Sequence, residues 1–149
     1  MAVILILGIL AAVAYPSYTR YRLRSHRDAG TACLLETQRR IAEVFARTGQ
    51  QPTAGQDLSS FGFGIASLSC GDQAEYQTTL DVASAGCTPS AHLYCLVATP
   101  QGAQAADGTL RLVVNTVAAN PNQQLERQHQ PPGGASWIDT DGWNFTPGR

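Results

Sequence analysis

Few side chains in this 149-residue chain are equipped for chemistry. All ten basic residues are arginine, which excludes Schiff-base and P-loop lysine chemistry. Histidine occurs only as His26, His92 and His129, and cysteine only as Cys33, Cys70, Cys87 and Cys95. There is no Cys-x-x-Cys and no histidine clustered with a cysteine, so a zinc site is disfavoured. Asp139-Thr-Asp141-Gly142 opens like a calcium loop and makes Asp139 and Asp141 the weak metal candidates. The glutamate that closes such a loop does not follow, and an Asp-Gly turn is the plainer reading. Asn144-Phe-Thr146 spells a glycosylation sequon, a match that chance also supplies. No nucleophile elbow, glycine-rich phosphate loop or paired-acid helix motif is present. His92 on an expected strand and His26 among arginines read as structural or solvated groups, with a pH-sensing interface as the second reading for His26. No catalytic residue and no cofactor is expected, and the chain is not read as an enzyme.

Four cysteines in a small exported domain favour disulfides, and four allow three pairings. Cys70 and Cys87 bracket the first expected strand and form the preferred bridge. Cys33 and Cys95 point toward the expected helix–sheet core, either bridged or as two buried thiols.

Charge and hydropathy then organise the chain. Charged residues make up 14% and hydrophobic residues 44%, enough for a core. Residues 20–47 hold seven Arg against three acids, whereas residues 48–149 hold three against eight. Residues 1–19 carry no charge, and MAVILILGILAAVAY is nearly all apolar. A signal peptide would carry its positive charge before the apolar run, although Ala12-Val13-Ala14 suits a cleavage site. A core helix apolar on every side needs a larger domain around it. The remaining reading is a membrane helix that continues into an amphipathic one, from Met1 to about Thr48, stopped by Gly49. Ala29, Cys33, Ile41, Val44 and Phe45 form its expected stripe, widened by Leu34 and Leu35. Glu36–Arg40 and Glu43–Arg47 are its expected ion pairs. Such a helix is about 70 Å long, so it must project from the body and be buried in lipid or among other subunits.

The run Met1-Ala-Val-Ile-Leu-Ile-Leu-Gly-Ile-Leu-Ala-Ala-Val-Ala-Tyr-Pro-Ser-Tyr18, with the arginines that follow, resembles the N-terminal helix of bacterial type IV pilins and pseudopilins. The family's prepilin cleavage site, methylated N-terminal residue and buried glutamate are expected upstream of Met1. Tyr94–Gln104 and Asp107–Leu112 resemble the central strands of the minor-pilin-like branch. That branch often has a cysteine where this chain has Asp107, and no cysteine follows Cys95 here.

The resemblance implies an assembly helix of Val3, Ile4, Leu5, Ile6, Leu7, Ile9, Leu10, Val13, Tyr15 and Tyr18. Gly8 and Pro16 bracket a stretch that extends in filaments of this family, or simply kinks. Arg20, Arg22, Arg24 and Arg27 would sit at the membrane interface and pair with acids of neighbouring subunits. Pseudopilins that bind calcium near the C-terminus give the Asp139 and Asp141 reading its family context.

The expected fold is α+β, the pilin lollipop: a long N-terminal helix and an antiparallel β-meander of about four strands. Residues 1–24 would be the protruding anchor and 25–149 the head. Strands are expected at Glu75–Val82, His92–Thr99 and Thr109–Asn115. Leu93, Cys95 and Val97, and likewise Leu110, Leu112 and Val114, would face the helix. Residues 50–71 would pack as a loop over the helix through Phe61 and Phe63, and an irregular tail from Asn120 would be pinned by Trp137 and Trp143.

The functional expectation is a structural subunit of a type IV pilus serving adhesion, motility or DNA uptake. It waits in the inner membrane and then enters the extracellular filament. Its partners are copies of itself, other pilins, the inner membrane and the assembly machinery. Nucleic acid is the less favoured partner, because the arginine cluster lies close to the membrane or filament core. The alternatives are a type II secretion pseudopilin and a membrane-anchored periplasmic enzyme or binding module.

Overall fold

The computed structural model describes residues 2–88, 93–118, 124–140 and 143, with the backbone alone for residues 2–14 and 16. Helix α1, Ala2–Thr48, runs unbroken through Gly8 and Pro16 and ends where Gly49 takes a left-handed φ of 70°. Its buried stripe is Arg27, Gly30, Leu34, Thr37 and Ile41, at helical spacing of three and four. Of the expected stripe, Leu34 and Ile41 are buried and Cys33 and Val44 pack half-buried against the core; Arg27, Gly30 and Thr37 join it, residues that hydropathy does not flag. Leu35 is exposed at 37%, while the Thr37 hydroxyl is satisfied by Cys33 O at 2.7 Å. Both expected helical ion pairs give way to Arg39, which bridges Glu36 and Glu43. Arg40 instead lies 4.8 Å over Phe63 and donates to Gly62 O at 3.3 Å.

Six strands form one antiparallel sheet in the order β1-β2-β3-β4-β5-β6. They are β1 (Ser67–Cys70), β2 (Tyr76–Asp81), β3 (Leu93–Pro100), β4 (Thr109–Asn115), β5 (Leu125–Gln130) and β6 (Ile138–Asp139). The α+β class with a long helix on an antiparallel meander stands, but with six strands rather than about four. The added strands are short or polar. β5 reads Leu-Glu-Arg-Gln-His-Gln, and pairing with β4 makes it a strand. A 3-10 turn at Leu58–Phe61 buries Leu58 and Phe61, so the loop packs on α1 as expected. A second 3-10 segment, Gly102–Asp107, joins β3 to β4.

Side-chain parity divides the sheet. Tyr94, Leu96, Ala98, Leu110, Leu112 and Val114 join Leu34 and Ile41 in the core under α1. Cys95 and Val113 sit on the opposite face with Cys87 and Leu93. The expectation that Leu93, Cys95 and Val97 face the helix is therefore corrected by one position, which reverses a strand's faces. The same parity corrects the disulfides. Cys33 on the helix cannot meet Cys95 through the sheet, and the bridges are Cys33–Cys70 and Cys87–Cys95. The first ties α1 to β1 on the core side, and the second closes the β2–β3 loop onto the outer face.

Gly30 marks the closest approach of helix to sheet: a Cβ there would lie 2.8 Å from Tyr76 Cδ2. Gly30→Ala is expected to cost about 1–3 kcal/mol by overpacking, read from urea unfolding midpoints. A wild-type midpoint would show that the helix can lift off Tyr76 freely.

Candidate functional site

The junction between the projecting helix and the sheet is built from charge. Arg27, only 3% exposed, meets Asp107, only 1% exposed, at the end of the second 3-10 segment. Arg27 Nε donates to Asp107 Oδ2 at 2.9 Å, and Nη2 pairs with Oδ1. The Tyr76 hydroxyl donates to Asp107 Oδ2 at 2.6 Å. Gln104 Nε2 reaches the same oxygen at 3.2 Å and the helix carbonyl of Leu23 at 3.0 Å. His129 Nε2 lies 2.8 Å from Asp107 O, and burial lowers its pKa. Burial first, and Asp107 second, push the Tyr76 phenol far up, so it stays a donor.

One helical position earlier, His26 forms a second contact. Its Nδ1 lies 2.9 Å from Glu75 Oε1, while Arg22 Nε donates to His26 Nε2 at 3.1 Å. Burial alone would raise the Glu75 carboxyl. Its own backbone N–H and that of Gln73, with the charges of His26 and Arg22, outweigh burial and hold it below 4.5. These residues line a cavity of about 390 Å³, bounded by Thr19–His26, the β1–β2 turn and Gln101–Gln104.

The structure thus takes Arg27 out of the expected membrane-facing cluster and seals it inside the head. Arg20, Arg22 and Arg24 remain exposed. Tyr15 and Tyr18 are exposed at 73% and 62%, joined by Tyr21 at 71%. The side chains of Val3, Ile4, Leu5, Ile6, Leu7, Ile9, Leu10, Val13 and Pro16 lie outside the described residues, as do Asp141, His92 and Asn144. Asp139 is exposed and accepts from Gln128 Nε2 at 2.7 Å. Among the described residues there is no metal-holding cluster, and no helix is long and apolar enough to cross a membrane. Sequence reasoning missed Asp107 and Glu75. The only signal was positional, an acid at the place where the minor-pilin branch often carries cysteine.

A protein-family model described as type IV minor pilin ComP, DNA uptake sequence receptor, matches residues 16–111. The chain belongs to the type IV minor pilins. The match spans Arg27, Asp107 and both disulfides, the features that join stem to head. No match was found among curated proteins or solved structures. Membership places this minor pilin among structural and receptor proteins of the extracellular pilus.

Asp107→Asn in this minor pilin strands Arg27 in the interior and is expected to cost about 3–5 kcal/mol in urea unfolding. Arg39→Ala, on an exposed helix face, should leave stability nearly unchanged. Because the Glu75 pKa is lowered, its stabilisation is complete above pH 4.5 and lost as pH falls through the folded value. Thermal melts should show a shallower acid limb in Glu75→Gln; an identical limb would mean that Glu75 is not held in the native state.

Proposed function

We propose that this chain is a minor subunit of a type IV pilus that serves DNA uptake. The observation that carries the reading is the family match over residues 16–111, which begins on the stem and runs into the head. The geometry supports it. The head covers one face of the helix from about Leu23 onward, while Tyr15, Tyr18 and Tyr21 stand exposed on the stem. Large exposed side chains gathered on one segment call for a partner surface. Residues 1–24 serve as the protruding anchor, in the inner membrane before assembly and among neighbouring subunits afterwards, and residues 25–149 form the head. Lipid and a filament core are both apolar, so the transfer is close to balanced. Gly8 and Pro16 give the stem its extensible stretch. Val3, Ile4, Leu5, Ile6, Leu7, Ile9, Leu10 and Val13 are the assembly surface. Arg20, Arg22 and Arg24 anchor at the interface.

The family's DNA uptake sequence receptor role makes DNA the ligand of choice, against the first expectation from charge. That expectation still sets the manner of contact. Residues 48–149 carry three Arg against eight acids, and Arg39 is held by two glutamates. In the described head, Arg40 beside Phe63 and Arg47 in the last helical turn are the exposed cations left to meet phosphates.

Gel retardation of a duplex by the full chain in detergent should therefore depend only weakly on salt, with a log–log slope of about −2. Removing both cations, Arg40→Gln with Arg47→Gln, should abolish retardation. A steep slope, or full binding by the double variant, would place the DNA elsewhere; no retardation at low salt would remove the DNA part of the reading.

A further inference from the structure

We propose that the cavity at the stem–head junction is a seat for a phosphodiester group, gripped by Arg22 beside His26 and occupied by a phospholipid headgroup before assembly. The lipid assignment rests on the anchor reading given above; the phosphodiester seat does not.

The seat is built around a carboxylate turned inward. In the turn Gly71–Glu75, a Cβ at Gly71 would lie 2.0 Å from Glu75 Oε2, so only glycine lets the carboxylate fold back. Ala74 takes a positive φ of 55°, uncommon for a residue with a Cβ. Gln73 N donates to Oε2 at 3.1 Å. Oε1 is buried and faces His26 Nδ1 at 2.9 Å, off the line of an ideal hydrogen bond, with no other hydrogen-bond partner among the described residues. Glu75 is thereby committed to its turn and to His26, and it positions the imidazole.

His26 in turn positions Arg22. The Arg22 Nε–H is used on His26 Nε2, and no other hydrogen bond from Arg22 occurs among the described residues. Its two terminal amino groups are the paired donors that grip phosphate oxygens. Arg22 is the cation that stands beside Glu75, on the far side of the His26 ring. An anion in the cavity accepts from the two terminal amino groups of Arg22 beside that ring.

No other charge intervenes from the packed elements. The 3-10 segment contributes Gly102, Ala103 and Gln104, and the turn contributes Gln73 and Ala74. Arg27, next on the helix, is committed to Asp107, and Asp72 is exposed outside the lining. The cavity, about 390 Å³, has room for a phosphodiester and its first attached atoms. It opens beside Thr19, the last residue of the uncharged N-terminal run, which is the level of the lipid headgroups when residues 1–19 sit in a bilayer.

The test uses the full chain, with ¹³C-labelled imidazoles, in maltoside micelles. Dimethyl phosphate, which keeps one charge between pH 6 and 8, is titrated in while the His26 ring is followed by NMR. A saturable shift is expected as the anion fills the cavity beside the ring. It should be lost in Arg22→Gln and kept in Arg24→Gln, whose guanidinium shares the stem but not the cavity. In phosphatidylglycerol nanodiscs the shifted resonance should already be present without added ligand. No saturable shift, or an equal shift in Arg22→Gln, overturns the seat. A shift produced by duplex DNA but absent from the nanodiscs overturns the lipid assignment. Dimethyl phosphate binding does not require pilus assembly. Lost binding in a chain that still enters pili would overturn the seat alone, and binding by a chain that never enters pili would overturn the function proposed above.

Discussion

The fold hangs on the buried pair of Arg27 and Asp107. Two charges withdrawn from water gain little over a well-packed apolar pair, but each is intolerable without the other. That asymmetry fixes where a 47-residue helix must stop sliding along the sheet. Apolar contacts constrain that register less, since among the described residues the buried stripe holds only Leu34 and Ile41 as large aliphatic residues. Asp107 also gathers the Tyr76 hydroxyl from β2 and Gln104 from its own 3-10 segment, and its carbonyl meets His129 from β5. One residue thus references the helix to three parts of the head. The Tyr76 ring that serves this carboxylate is the ring against which Gly30 is pressed, so packing and charge constrain the same helical turn.

A head fixed in this way can ride on a stem that changes its surroundings. The polar junction ends near Thr19 and Arg22, and beyond it Tyr15 and Tyr18 stand exposed. The Cys33–Cys70 bridge lies about two turns further into the head and backs the ion pair with a covalent tie. Stress applied along the stem would reach the sheet through these two links. The second bridge, Cys87–Cys95, does different work. It holds a loop on the outer face, beside Arg111, which lies 4.1 Å over Trp137.

The large features were legible in the sequence because they follow from periodicity and composition. An uncharged run passing into an arginine-rich, proline-free stretch specifies one long helix, and alternation in β3 and β4 specifies strands. What escaped was whatever depends on a partner remote in sequence. β1 and β5 are too short or too polar to declare themselves before pairing with β2 and β4. The disulfides turned on a single parity choice at Cys95, which the sequence leaves open because both faces of β3 are buried there. Arg27 looked like its neighbours Arg20, Arg22 and Arg24, since nothing local distinguishes an arginine that will meet an aspartate 80 residues away. At the junction the basic side chains Arg22 and His26 were visible and the acid was not. Glu75 acquires its role only when Gly71 lets its carboxylate turn inward.

The central claim is that this chain works in a type IV pilus with its stem among other subunits. The most direct measurement is mass spectrometry of pili sheared from the producing cells, after photo-crosslinking from a probe placed at Tyr18. The account predicts that the chain is found in the sheared fraction, crosslinked through Tyr18 to the N-terminal helix of another pilin. A chain confined to the membrane fraction, with Tyr18 crosslinked only to lipid or to non-pilin protein while pili form normally, would contradict it.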